Sequence, residues 1–137
     1  MPLVVDKKES FTPGTETFIE SHSTVEPWAV VFEDDGTTAY FYCCRHEGGK
    51  TSILDAVHIY NSEAVTDKDQ ESECKIGWSP EGSSALLMIN GNVHAIVDFK
   101  MKKACCRTGF PPANESWSKD GHEWDEEMLN KFKVEGT

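Results

Sequence analysis

Residues 75–107 constrain the fold more than any other stretch: two runs of β-type apolar residues are joined across Asn90-Gly91. Asn-Gly supplies the positive-φ pair of a type I′ turn, whose twist matches that of the strands it joins. With Asn90-Gly91 as the whole loop, Ile89 faces Asn92, Met88 faces Val93, Leu87 faces His94 and Leu86 faces Ala95. Side chains alternate across a strand, so Val93, Ala95, Val97 and Phe99 are expected on the core face, and His94, Ile96 and Asp98 on the other. Residues 85–89 are apolar at every position, which predicts a central strand covered on both faces. Upstream, Ser79-Pro80-Glu81-Gly82 places Pro second and Gly last in a turn. That turn folds Ile76-Gly77-Trp78 back beside the Ala85 strand and completes an antiparallel meander.

The same logic extends toward the N-terminus. Residues 1–16 suggest a short strand and then a polar loop closed by Pro13-Gly14. Thr17-Phe18-Ile19-Glu20-Ser21 is a weak strand. Residues 27–33 have a continuous apolar centre, Asp34-Asp35-Gly36 suits a short hairpin loop, and Tyr40-Phe41-Tyr42 favours the pleated return strand. Residues 53–60 fit strand or helix; the β-branched content favours strand. Residues 61–73 are polar and acidic, as in a surface loop or short helix. Beyond Phe110-Pro111-Pro112 the chain changes character. Asp120 and Glu123 match a capping box, and Trp124, Met128, Leu129 and Phe132 form a helical stripe. The expectation is a mainly β fold: an antiparallel meander or small sandwich of about seven or eight strands with one C-terminal α-helix. Residues 1–137 form a single domain, with the β core at about 17–112 and the helix at about 121–132.

A formal net charge of -11 disfavours contact with phosphate backbones or anionic lipid, so neither nucleic acid nor membrane is expected as a partner. A basic protein partner fits that charge. No secretory leader and no run as long as a membrane span is evident, which points to the cytoplasm. The cysteines, Cys43, Cys44, Cys74, Cys105 and Cys106, are odd in number and read as reduced thiols.

Signs of chemistry are sparse. Zinc sites space paired cysteines by intervening residues, whereas Cys43-Cys44 and Cys105-Cys106 are adjacent and point to opposite strand faces. One of each pair is expected in the core and the other at the surface. Cys44 and His46 share a face, yet no metal site and no cofactor are expected. Asp55 and His58 have opposite strand parity. His94 and Asp98 share a face but lie roughly 13 Å apart along a strand. Any polar site must therefore be assembled between strands, and the candidate ligand-binding residues are His58, His94, Asp98 and Arg107. Arg107 opens the Arg107-Thr108-Gly109-Phe110-Pro111-Pro112 loop, which suits either a binding surface or a stiff exit from the sheet. No phosphate-cradling glycine loop, nucleophile elbow or paired-histidine zinc motif is present.

Three segments carry a resemblance. They are Trp28-Ala29-Val30-Val31-Phe32-Glu33-Asp34-Asp35-Gly36 with Tyr40-Phe41-Tyr42; then Ile53-Leu54-Asp55-Ala56-Val57-His58-Ile59-Tyr60-Asn61; then Ile76-Gly77-Trp78-Ser79 through Asn90-Gly91, His94-Ala95, Asp98-Phe99 and Cys106-Arg107-Thr108-Gly109-Phe110-Pro111-Pro112. Together they resemble a bacterial family of uncharacterised proteins, domain of unknown function 2251. The resemblance implies a small prokaryotic cytoplasmic domain and brings no activity with it. Two functions remain in view. One is a non-catalytic protein-binding module, of which an immunity or inhibitor role against a basic toxin is one form. The other is a small enzyme or ligand-binding domain with a site around His58, His94, Asp98 and Arg107.

Overall fold

The computed structural model describes residues 3–24, 27–65, 70–111, 117–118 and 121–132. It contains β1 (Val4–Phe11), β2 (Thr17–His22), β3 (Trp28–Asp34), β4 (Thr38–Glu47), β5 (Lys50–Asn61), β6 (Ser72–Trp78), β7 (Ser84–Ile89), β8 (Asn92–Asp98) and β9 (Lys103–Cys106). A larger sheet has the order β1-β6-β7-β8-β9, and a smaller sheet the order β2-β3-β4-β5. All pairings are antiparallel. The inner faces of both sheets meet in one apolar layer that includes Val30, Phe32, Phe41, Val57, Ile76, Leu87 and Val97. Burying each of these side chains contributes about 1.5–3 kcal/mol. The result is a sandwich built on the expected meander β6-β7-β8.

Turn chemistry sets the hairpins. Asp34 Oδ1 accepts the Gly36 N–H at 2.8 Å, and Asp35 Oδ1 accepts the N–H groups of Thr37 and Thr38 at 2.9 Å each. Asn90 and Gly91 have φ of 52° and 82°, the type I′ signature. The pairs Ile89–Asn92 and Met88–Val93 form as expected, and then the register slips: Leu87 faces Ala95, and Leu86 faces Ile96. His94 is the extra residue of a β-bulge. The bulge turns Val93 outward to pack beside Met88 and Trp124, while Ala95, Val97 and Phe99 keep the inner face. Arg107 stabilises it by donating its backbone N–H to the His94 carbonyl at 3.1 Å and Nε–H to the Val93 carbonyl at 2.9 Å.

The strand count exceeds the expected seven or eight because β9 adds a strand beside β8, and the short strand expected within residues 1–16 pairs with β6 as part of the sandwich. The β core thus begins at Val4 rather than near residue 17. Only Phe11 of β1 is buried, so its charged exterior disguises a paired strand. Alternation does send Cys43 and Cys44, and likewise Cys105 and Cys106, to opposite faces, but all five cysteines are buried free thiols. The expected surface member of each pair is covered because both sheets carry apolar clusters on their outer faces.

The C-terminal α-helix is not found. Gly121 has φ of 87°, which no helix accommodates, and His122 is pinned to the sheet. Asp120, the expected cap, lies outside the described residues. Asp125 takes that role instead: its Oδ1 accepts the Glu127 N–H at 3.0 Å, and its carbonyl accepts the Met128 N–H at 3.1 Å. A short 3₁₀ segment, Glu126–Phe132, follows. Its apolar stripe nevertheless docks as expected, with Met128 and Phe132 buried and Trp124 and Leu129 beside them, over Leu86, Ile96 and Cys105.

Candidate functional site

The outer face of the larger sheet is covered by the chain's own C-terminal segment. The smaller sheet differs. On its outer face, alternate residues of adjoining strands line an open groove of about 430 Å³: Phe18 and Glu20 from β2, Val31 and Glu33 from β3, Tyr42 and Cys44 from β4, and Thr51 and Ile53 from β5. Bulge-like register shifts in the β4–β5 ladder, next to Tyr40 and Cys44, adjust which β5 residues reach this face. Phe18 and Ile53 are 64% and 65% exposed, a large apolar display for side chains so well suited to a core. Beneath them Val31, Ala29 and Cys44 form a buried floor.

Acid borders the groove. Glu20 and Glu33 line it, and an adjoining cleft adds Glu16 and Asp35. The Tyr42 hydroxyl donates to Glu33 Oε1 at 3.1 Å; burial first, and then Glu33, raises the Tyr42 pKa. Backbone N–H groups of Thr38 and Thr37 hold the Asp35 carboxyl below its usual range. At the far side Glu20 meets His22 at 2.7 Å, and His22 packs edge-on against His46 with ring centroids 4.7 Å apart. Cys44 sits in the floor at 1% exposure, its pKa pushed up to about 11 by burial and then by Glu20. It is therefore a neutral thiol and not an activated nucleophile.

A row of rings extends the same face toward the 107–111 loop. Tyr42 stacks near Tyr40 at 6.2 Å, Tyr40 meets His58 edge-on at 5.6 Å, and His58 meets Phe110 edge-on at 5.9 Å. This is where the first candidate from sequence lies. His58 Nδ1 is 3.1 Å from Thr108 Oγ1, Nε2 is 3.0 Å from Asn61 Oδ1, and the His58 N–H donates to the Phe110 carbonyl at 2.9 Å.

The other candidates lie elsewhere. His94 and Arg107 adjoin, and burial followed by the Arg107 charge lowers the His94 pKa. The Arg107 guanidinium is 3.5 Å from the Trp124 ring centroid and 3.7 Å from Glu126 Oε1, so it anchors the C-terminal segment. Asp98 is buried at the opposite end of β8, where Oδ1 accepts the N–H groups of Lys100 and Met101 at 3.1 Å each. It lines a cleft with Met101, Lys103, Asp125, Glu127 and Met128. The structure thus joins His94 to Arg107, places His58 next to Thr108 of the same loop, and sets Asp98 apart. Among the described residues, no group of three or more His, Cys, Asp or Glu side chains is placed to hold a metal ion.

Sequence reading missed the groove and one buried pair. Phe18 and Glu20 flanking buried Ile19 is an alternation that could have revealed the first. The second, Asp55 with His122 at 2.9 Å, joins residues 67 apart in sequence and has no local signal.

Comparison with known proteins agrees with the resemblance drawn from the sequence. No solved structure matches the chain. Among the described residues, no helix is long and apolar enough to cross a membrane. An uncharacterized protein of Haemophilus influenzae is 41% identical over 87 residues, covering 63% of this chain and 54% of that protein. The chain therefore matches only about half the length of that curated relative. A family described as "Uncharacterized protein conserved in bacteria (DUF2251)" matches residues 11–133, and the chain belongs to it.

Proposed function

We propose that this protein is a non-catalytic binding module that receives a positively charged segment of a partner protein on the outer face of the smaller sheet. One observation carries the reading: the groove there is apolar along its axis, at Phe18, Val31 and Ile53, and acidic at its borders, at Glu16, Glu20, Glu33 and Asp35. A basic segment with alternating apolar and cationic side chains matches both features. An inhibitor or immunity role against a basic protein is the biological form that suits the net charge of -11. Five free thiols make the cytoplasm the fitting compartment.

The second reading, a small enzyme or ligand site around His58, His94, Asp98 and Arg107, draws support from the adjacency of His94 and Arg107. Arg107 is already engaged by Trp124 and the Val93 carbonyl, so the groove is the stronger basis.

The test uses a synthetic peptide of alternating leucine and lysine and the intact protein. Amide shifts in two-dimensional NMR should concentrate on the residues lining the groove. Phe18→Ser combined with Ile53→Ser should weaken binding at least tenfold, and added salt should weaken the wild-type complex. Equal affinity for the double variant, shifts scattered over the whole acidic surface, or groove shifts caused by protein concentration alone would each overturn the proposal. The last would assign the face to a second copy of the chain.

A further inference from the structure

The buried Asp55–His122 pair lies between the sandwich and the C-terminal segment. His122 is 0% exposed and Asp55 8%. His122 Nε2 is 2.9 Å from Asp55 Oδ2, and Nδ1 is 2.6 Å from the Pro111 carbonyl oxygen. A carboxylate and a carbonyl are both acceptors, so both ring nitrogens face groups that need an N–H, whereas a neutral imidazole has one. Asp55 is itself fixed, Oδ1 accepting the Ala56 N–H at 2.8 Å and Oδ2 the Ser118 N–H at 3.1 Å. With an N–H at each ring nitrogen, the pair holds one proton more than a neutral histidine beside an ionised carboxylate.

We propose that residues 121–132 are fastened to β5 by this proton, and that its loss loosens the segment and begins to uncover the outer face of the larger sheet. The groups around the pair agree. From β4, the Cys43 thiol donates to the Asp55 carbonyl at 3.5 Å; burial and then the Asp55 charge hold its pKa well above the usual thiol range, so it stays neutral. From β9, the Cys106 N–H donates to the His122 carbonyl at 3.0 Å. Burial of the ring opposes its charge, but the Asp55 hydrogen bond, the Pro111 carbonyl and the Asp55 charge outweigh it and raise the His122 pKa above 6.5.

A raised folded-state pKa stabilises the closed segment fully below pH 6.5, and this contribution is lost as pH rises through the folded value. The opening equilibrium should increase by up to about tenfold per pH unit across that window. Arg107 on Trp124 and Lys103 with Asp125 persist there, so loosening starts at the His122 end.

Nitrogen NMR of the intact, labelled protein provides the test. Both His122 ring nitrogens should be protonated at pH 6, below the window in which the proton is lost. Hydrogen exchange of residues 121–132, corrected for intrinsic rates, should accelerate with pH in the wild type and lose that dependence in His122→Gln or Asp55→Asn. A neutral single tautomer at pH 6 in the wild type, a measurement that needs no variant to fold, would overturn the proposal. So would a wild-type pH profile in either variant.

Discussion

The two outer faces of this sandwich have similar raw material and different fates. On the larger sheet, Leu86, Ile96 and Cys105 lie beneath Met128 and Phe132, and nothing apolar in that cluster is left as open as Ile53. On the smaller sheet, Ala29, Val31 and Cys44 form an equally buried floor, but Phe18 and Ile53 stand above it in water. The covering segment is fastened at several points: His122 to Asp55, Asp125 to Lys103, and Trp124 beneath the Arg107 guanidinium. Covering one face closes that side of the sandwich with the chain's own residues. The other side retains an apolar axis and acidic borders, which is the physical basis for proposing a partner there.

The largest expected effect comes from breaking the fastening. His122→Ala leaves the nearly buried Asp55 carboxylate without its cationic partner and should cost about 3–5 kcal/mol, measured by urea unfolding at pH 6. Above the raised His122 pKa the difference from wild type should narrow, because the wild type has by then lost the same proton.

A smaller effect is expected at Trp124. The indole is only partly buried, so Trp124→Ala should cost about 2 kcal/mol, part of it from the lost contact with Arg107. Calorimetry would check the size, and hydrogen exchange should show the loosening confined to the C-terminal segment and β8.

Gly91→Val tests the β7–β8 hairpin of the larger sheet. Nothing lies within 4 Å of a Cβ built at Gly91, so the cost arises from its φ of 82° alone. About 1 kcal/mol or somewhat more is expected from thermal unfolding. An unchanged melting temperature would contradict the type I′ assignment.

The smallest stability effect is expected on the open face. Phe18→Ser should stay within about 0.5 kcal/mol of wild type, because the side chain is 64% exposed, while weakening capture of the leucine–lysine peptide. A loss of stability comparable to that at Trp124 would show that the open face is structural.

These contrasts also mark what the chain discloses locally. The hairpin at Asn90-Gly91, the meander and the β3–β4 turn were legible because turn chemistry and alternation act over a few residues. The His94 bulge was not, since it depends on Arg107, a residue of the segment following β9. The stripe Trp124, Met128, Leu129 and Phe132 announced a docked segment correctly, but its spacing suggested an α-helix. Long-range anchoring of His122 and the positive φ of Gly121 decided against that geometry. His58 was a reasonable candidate, and the structure puts it in the aromatic row on the open face. Its apolar neighbours Phe18 and Ile53 read as ordinary strand residues, because only the assembled sheet shows that nothing in the described chain covers them.

Two isoleucines make the most direct test. Ile96 is 0% exposed beneath the C-terminal segment, and Ile53 is 65% exposed on the groove. Ile96→Ala and Ile53→Ala remove the same atoms from the two outer faces, so urea unfolding of both isolates the effect of coverage. The account predicts a loss of about 2–4 kcal/mol for Ile96→Ala and about 0.5 kcal/mol or less for Ile53→Ala, with peptide binding impaired in Ile53→Ala alone. Equal losses of stability, or peptide binding impaired by Ile96→Ala and untouched by Ile53→Ala, would contradict it.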